Sequence, residues 1–505
     1  MKPIAVAIFL MLTGCAAGPD YVRPGLPAST RFTQEVLPVT TAGPAAQHFT
    51  AAQALEADWW KRFQSPALNQ LVADALAASP TLASAQAALR GAHENVVAQQ
   101  GMFMPTVQAG YSPSRTKIAG NQGGNSPGVQ GDGSVISTGA GTPAAQGGAG
   151  PYNQPVTYTF HTAQLTVGFV PDVFGSNRRQ VEAASAQASY QALQLQAATT
   201  TLVANLVGAA ITESLLREQI AITRDVIDAN TQMVAVLRRQ QHAGFASNLD
   251  IRLQEGALVQ AQQQLLPLTR QLEQTRNLLR ALSGKAPDQV LAQAFDAGSL
   301  TLPLDLPLAL PSQIVEHRPD VRAAEEQVRA ASAQVGVATA ARLPQFSIDG
   351  AIGGAASHFD QMFWPSGAFF NLVGNITQPL FDGGTLKHRQ RAAEAALAEA
   401  AAQYQATVIT AFQNVSDALR ALHADADALQ ATVAAEQNAG ASLALIRRQL
   451  VGGYVDRLAL IAAEQSARQA GIGVAQAKAA RLSDTAALFQ ALGGGWVEPG
   501  AGGAP

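Results

Sequence analysis

The chain has 505 residues, enough for two or three ordinary domains, and 47% of them are hydrophobic, as in a folded protein. Charged residues make up only 14% and the net charge is −3, which gives no electrostatic case for nucleic acid or for an anionic membrane surface. One cysteine, Cys15, excludes an intrachain disulfide and any cysteine-rich metal site.

At the N-terminus Lys2 precedes an apolar stretch, Ile4 to Leu12, too short to span a bilayer and of the length of a signal-peptide core. It ends in Leu12-Thr13-Gly14-Cys15, which resembles a bacterial lipobox. Cleavage before Cys15 would leave its thiol for diacylglycerol attachment and its new amino group for acylation; the alternative is an ordinary signal peptide with a chance cysteine. Ala16, where an Asp would retain a lipoprotein at the inner membrane, resembles the outer-membrane pattern. After Leu12 no uninterrupted apolar run has the length of a transmembrane helix, so a spanning version of this chain has to be a closed β-barrel.

Ser79 is placed to cap a helix with Pro80 at its first position, running toward Gly101. The period then switches to two: Val107, Ala109 and Tyr111 alternate with Thr106, Gln108 and Gly110, and Leu165, Val167 and Phe169 continue the pattern before Pro171. Between these strands Ala119 to Gly150 is low in complexity and lacks the apolar content to bury itself, which predicts a mobile, solvated loop. From about Gln180 to His242 the pattern is helical, and ~60 residues at ~1.5 Å each extend about 90 Å. Leu202, Leu206, Ala209, Leu216, Ile220, Ile227, Val234 and Leu237 fall on 3–4 steps, a coiled-coil seam interrupted by Glu213, Thr223 and Asn230. A second seam follows Leu215, Ile222, Val226, Ala229, Met233 and Val236, so neighbours are expected on both flanks, as for staves in a wall. An ordinary long coiled coil is the plainer alternative.

The remainder repeats the first part. Pro80 and Pro319 are 239 residues apart, as are Pro105 and Pro344, whereas Gly244 and Gly453 are 209 apart; the first copy therefore carries roughly thirty extra residues, which hold the glycine-rich loop. In the second copy Phe346, Ile348, Gly350 and Ile352 alternate with Ser347, Asp349 and Ala351. Phe370, Leu372, Gly374 and Ile376 alternate with Asn371, Val373, Asn375 and Thr377, and a long helix runs from Leu386 to Val451. Such strands suit a transmembrane barrel with its polar face, Asp349 included, toward the lumen; a small soluble sheet fits as well. Four strands cannot close a membrane barrel, so a spanning version has to be shared between chains. Phe359, Met362, Phe363, Trp364 and Phe369 cluster where an aromatic girdle would sit. Gly244 and Gly453 are placed to end helices in the left-handed conformation, Ser247 and Asp250 have capping-box spacing, and Asp456 can cap the last helix. The eight His residues form no metal-ligand spacing, and nucleophile-elbow, phosphate-loop and dinucleotide motifs are absent, so no catalytic residue, metal or cofactor is assigned.

These landmarks resemble the TolC-like outer-membrane efflux proteins, specifically the NodT-type lipoprotein branch, across about Cys15 to Trp496. The resemblance is carried by Cys15-Ala16-Ala17-Gly18-Pro19-Asp20-Tyr21-Val22-Arg23-Pro24, by Trp59-Trp60-Lys61-Arg62-Phe63, by Arg318-Pro319-Asp320 and by Gln378-Pro379-Leu380-Phe381-Asp382-Gly383-Gly384. It implies a mixed α and β membrane protein: a homotrimer in which four strands per chain make a 12-stranded transmembrane β-barrel, continuous with a long periplasmic α-helical barrel. The division it implies is a leader over 1–14, a lipidated segment over 15–65, a first repeat over 66–284, a linker over 285–311, a second repeat over 312–494 and a flexible tail over 495–505. The tip turns 241–249 and 451–457 would meet a periplasmic membrane-fusion adaptor and an inner-membrane resistance-nodulation-division pump. There Gly244, Ser247, Asp250, Gly453, Tyr454, Asp456 and Arg457 are the candidate gate and contact residues, with capping as the simpler role. The implied function is a passive exit duct for small molecules in the outer membrane, with lipid around it. The alternatives are a duct for a type I secretion or ATP-driven exporter and a non-channel periplasmic coiled-coil scaffold. Two departures stand out. Phe169-Val170-Pro171-Asp172-Val173-Phe174-Gly175 replaces a Trp-Glu-x-Asp-Leu-Phe-Gly corner, and Ile461-Ala462-Ala463 replaces Leu-Asp-Ala, removing an acidic group near the family's closed aperture.

Overall fold

A computed structural model describes residues 16–25, 31–43, 45–51, 56–118, 128–129, 135–136, 156–308, 311, 315 and 317–494. Cys15, the tail 495–505 and nearly all of the glycine-rich segment lie outside them. The chain divides into two units: one of Met1–Tyr21, His93–Ser185 and Arg329–Leu397, the other of Val22–Ala92, Ala186–Val328 and Ala398–Pro505.

The first unit is built on a sheet. Strands β2 (Thr106–Ile118), β5 (Val156–Phe169), β7 (Gln345–Ala356) and β8 (Ala368–Thr377) lie in that order, every pair antiparallel. Among the described residues the two-residue strands β3 (Gly128–Val129) and β4 (Val135–Ile136) pair only with each other. β5 ends two residues before Pro171, whose missing N–H could not continue a ladder. Carboxylates turn the chain from strand to helix. Asp172 accepts the N–H groups of Asn177 and Arg178 at 2.8 and 2.9 Å, at the start of α3 (Ser176–His242). Asp382 accepts those of Gly384 and Leu386, both at 2.8 Å, at the start of α6 (Thr385–Val451). These backbone donors hold the Asp382 carboxyl below its ordinary range.

The second unit is helical. It contains the helices α1 (Pro66–Ala78), α4 (Asn248–Leu282) and α7 (Arg457–Ala491), together with most of α3 and α6. Two further helices, α2 (Pro80–Gly101) and α5 (Pro319–Ala340), have their residues divided between the two units. The first copy thus opens with two helices, α1 and α2, where sequence periodicity suggested one.

The first seam of α3 is an interior surface. Leu202, Leu206, Ala209, Leu216, Ile220, Val234 and Leu237 are buried, with Ile227 half-buried. Its polar interruptions are buried too, and two of them work as ties. Glu213 accepts from Arg217 on its own helix and from Arg276 on α4, at 2.8 and 2.7 Å. Asn230 accepts from Gln254 on α4 at 2.8 Å. The second seam, from Leu215 to Val236, is half-buried along its length, so it keeps apolar surface to give to a neighbour. Among the described residues α3 alone has a stretch long and apolar enough, by length and composition, to cross a bilayer, and 39% of that stretch is already buried. That stretch is interrupted by Thr199, Thr200, Thr201 and Asn205, so it is not an uninterrupted apolar run.

Around residue 300 the unit is braced. β6 (Asp305–Leu308) pairs in parallel with β1 (His48–Ala51), and Leu291, Phe295, Leu300 and Leu306 are buried, so the stretch read as a linker carries packed structure. Trp59 and Phe63, at the two ends of a 3-10 turn, bury themselves against Phe489 of α7 at 5.5 and 6.3 Å between ring centroids. Arg481 of α7, 1% exposed, donates to Thr41 Oγ1 at 2.9 Å, to the Ala45 carbonyl at 2.5 Å and to Gln47 Oε1 at 3.2 Å. Arg318, also buried, forks onto Asp320 and reaches the Ala491 carbonyl at 2.8 Å, neutralising a helix end. Arg318→Ala is expected to lower stability by about 2 kcal/mol through these lost charge-assisted bonds, read as the urea midpoint in detergent. An unchanged midpoint would reduce the Arg-Pro-Asp motif to surface chemistry.

Candidate functional site

Register sorts the four strands into two faces. Val107, Ala109 and Tyr111 on β2 share a face with Val167 and Leu165, with Ile348 and Ile352, and with Ile376, Leu372 and Phe370. One row across the sheet reads Ala109, Leu165, Ile352, Phe370. Large side chains on this face stand open: Phe370 is 83% exposed, Leu372 76% and Ile376 70%. Gln108, Thr166, Gln164, Ser347, Asn371 and Asn375 occupy the opposite face. Asp349 is there as well, its carboxylate accepting from Ser347 Oγ at 3.0 Å and from Asn375 Nδ2 at 3.2 Å. An isolated soluble domain does not leave such a sheet face bare, because burying that surface is the main drive of folding.

At the far end of the apolar face stands an aromatic cluster. Tyr111 and His161 stack at 6.1 Å and share a 2.8 Å hydrogen bond, and Phe359 meets both edge-on, with Phe363 beyond it. Of the five girdle candidates, Met362 departs from the expectation: it is 2% exposed, tucked against β7 where a Cβ on Gly354 would strike its carbonyl at 2.1 Å. His161 was not legible as a girdle residue, since a lone histidine in an alternating strand carries no signal of its face.

The residue after Cys15 lies at the opposite end of the strands. Ala17 donates its N–H to the Phe174 carbonyl at 2.9 Å, and Arg179 binds Asp20 at 2.8 Å. Gly18, at φ +92°, lies so close to Gly336 of α5 that a Cβ would be 2.4 Å from its Cα. The chain leaving Cys15 is therefore fastened to the strand-to-helix corner.

The tip turns are built alike. Gly244 donates to Gln241 O and Phe245 to Gln240 O; Gly453 donates to Leu450 O and Tyr454 to Gln449 O. With φ at +75° and +74°, both glycines close a Schellman motif, a conformation that strains any L side chain. After the first turn Ser247 and Asp250 form a reciprocal capping box; after the second Asp456 accepts the Ala459 N–H at 2.9 Å, with Arg457 the first residue of α7. Arg238–Glu255 bridges the first hairpin at 2.8 Å and Arg447–Glu464 the second at 3.0 Å. Both partners differ by the 209 residues that separate Gly244 from Gly453, so the repeat extends to individual ion pairs. Phe245 and Tyr454 are each 84% exposed at the turns, beside a groove lined by Asp250, Leu253, Leu450, Asp456 and Arg457. Among the described residues Asp456 and Arg457 make no ion pair within the chain.

The Ser247 backbone N–H, and then its hydroxyl, hold the Asp250 carboxyl below its ordinary value. A depressed carboxyl stabilises the fold above its unfolded value and loses that contribution as pH falls through the folded one. Protection of the first-turn amides of α4 from hydrogen exchange, corrected for intrinsic rates, is expected to hold at pH 7 and to begin falling only below about pH 4, continuing as the pH drops through the lowered folded value. Asp250→Ala should abolish that dependence, and the same protection in Asp250→Ala as in the unaltered protein at pH 7 would remove the capping box from this account.

Among the described residues no three His, Cys, Asp or Glu side chains come together to hold a metal ion. The outer membrane efflux protein family matches residues 71–285 and again 310–494, most of the chain, and the chain belongs to that family. The pyoverdine export outer membrane protein OpmQ of Pseudomonas putida is 29% identical over 447 residues, 88% of this chain and 90% of that protein. The toluene efflux pump outer membrane protein TtgF, also from Pseudomonas putida, is 27% identical over 504 residues, 98% of this chain and 96% of that one. The solved structure of the outer-membrane channel OprN aligns with a TM-score of 0.80 at 25% identity, over 95% of this chain and all of that one. The protein is an outer-membrane efflux channel, a conduit of a transport family that extends into the periplasm.

Proposed function

We propose that three copies of this chain close one 12-stranded barrel in the outer membrane and continue it as an α-helical tunnel, the exit duct of a tripartite efflux system. One observation carries this reading: a four-stranded sheet with an apolar and a polar face whose outer strands, β2 and β8, each lack a second neighbour among the described residues. Unpaired strand edges are intolerable in hydrocarbon and four strands cannot curl into a barrel, so the edges have to be closed by further copies. The half-buried second seam of α3 supports the same neighbours along the helices.

In this reading Cys15 carries the lipid anchor, two residues before Ala17, which is fastened to the strand-to-helix corner. Asp349 faces the lumen and biases ion passage. The tips, with Gly244, Ser247, Asp250, Gly453, Tyr454, Asp456 and Arg457, meet a membrane-fusion adaptor that links the duct to an inner-membrane resistance-nodulation-division pump. Cargo is a small molecule selected upstream: relatives of near-equal similarity are named for pyoverdine and for toluene, so the duct itself does little choosing. Detergent-purified, acylated protein in a planar bilayer is expected to give discrete conductance steps from a heat-dissociable trimer. Folded protein that stays monomeric and silent, even with its tips truncated, would favour the coiled-coil scaffold instead.

A further inference from the structure

We infer that the outward end of the β2–β5 hairpin binds the phosphorylated sugar headgroup of an outer-leaflet glycolipid, through Arg115 and Lys117. The inference rests on the barrel reading, in which the apolar sheet face meets the bilayer. The two-residue period of β2 places Val107, Ala109, Tyr111, Arg115 and Lys117 on one face, and the pairing of Arg115 with Thr159 and of Lys117 with Thr157 keeps the register unbroken to the end. Read along the strand, that face passes from aliphatic side chains, through the Tyr111–His161–Phe359 cluster, to two exposed cations. Hydrocarbon, interface and anionic headgroup follow one another in the same sequence across a membrane boundary.

Depth selects the headgroup. Arg115 and Lys117 lie four and six residues past Tyr111. At ~3.4 Å per residue and a barrel tilt of about 40° they stand roughly 10 and 15 Å above the aromatic level. A phospholipid headgroup layer is only about 5–8 Å thick, so a phosphate on a sugar-bearing headgroup meets these side chains better. The helices leave from the opposite ends of the strands, after Phe169 and Thr377, so this end faces the outer leaflet if the helices are periplasmic. Among the described residues no carboxylate pairs with either cation. The whole-chain charge of −3 hides this placement, because a sum over 505 residues says nothing of two charges on one face.

The test uses the full-length protein in detergent and measures binding of rough lipopolysaccharide, the same material after dephosphorylation, phosphatidylglycerol and inorganic phosphate. Binding of phosphorylated lipopolysaccharide is expected to be at least about tenfold tighter than of the dephosphorylated form, and to fall roughly thirtyfold in Arg115→Gln, Lys117→Gln. The exchanged variant Arg115→Lys, Lys117→Arg should keep it. Equal binding by the neutral variant, or by the dephosphorylated material, overturns the proposal. So does phosphatidylglycerol or inorganic phosphate competing at equal concentration, since either would remove the sugar headgroup from recognition. Flotation of the wild-type protein with phosphatidylcholine vesicles is the separate arm: failure there sinks the barrel reading, whereas flotation with no phosphate dependence sinks only this inference.

Discussion

Leu372→Arg is expected to strip the protein from the outer membrane, while Asn371→Arg, one residue away on the same strand, leaves it there. Leu372 sits at the middle of β8, opposite Gly350, on the apolar face, and is 76% exposed; Asn371 pairs with Ala351 on the other face. An arginine facing lipid at the bilayer midplane costs about 2–4 kcal/mol per strand, and a barrel of three copies meets that cost three times. The sum is comparable with the whole stability of an ordinary domain. On the polar face the same side chain finds water, so only the ion selectivity of the duct should move. Membrane fractionation and heat-resistant oligomer on gels read the first effect, and reversal potential in a salt gradient reads the second. Normal insertion of Leu372→Arg would mean that the apolar face is covered by protein and not by lipid, and the barrel would have to be given up.

That contrast was available from the alternation alone, because a period of two puts neighbouring residues on opposite faces whatever the partner strand. Which strands adjoin which was not available. The order β2-β5-β7-β8 depends on pairing between segments nearly two hundred residues apart, and periodicity is silent about that. The seams of α3 were legible in the same way, yet Glu213 and Asn230 read as interruptions, since their partners Arg276 and Gln254 lie on the next helix. Ser247 with Asp250 could be recognised because a cap and its donor are three residues apart. Arg481 could not, since its acceptors Thr41, Ala45 and Gln47 are more than four hundred residues away and two are uncharged side chains. The corner carboxylates fall between these cases. Asp172 and Asp382 do the same work at two helix starts from positions that the repeat does not align, a solution set by each local turn.

Asp456→Ser is expected to open the duct as fully as Asp456→Ala, and this comparison separates two roles that one residue fills. As the N-cap of α7, Asp456 accepts the Ala459 N–H, a task that serine performs about equally well and alanine cannot; losing the cap costs on the order of 1 kcal/mol. As a charge, Asp456 stands exposed next to Arg457, and neither has an ion-pair partner within the chain among the described residues. In a trimer the two recur as rings of opposite sign around the mouth of the tunnel, which attract across the gap between copies and hold it shut until docking offers other partners. Serine keeps the helix start and removes the ring. If charge closes the tip, single-channel conductance rises in both variants and in Arg457→Ala, and raising the salt concentration produces part of the same rise in the unaltered protein. If capping alone matters, only Asp456→Ala departs from wild type, with a looser α7 start in hydrogen exchange and no dependence of its conductance on salt beyond that of the bulk electrolyte. The groove beside the turns carries Asp250, Asp456 and Arg457, and Asp250 is already engaged in its own capping box, so Asp456 and Arg457 are the charges there that remain to hold a closed mouth.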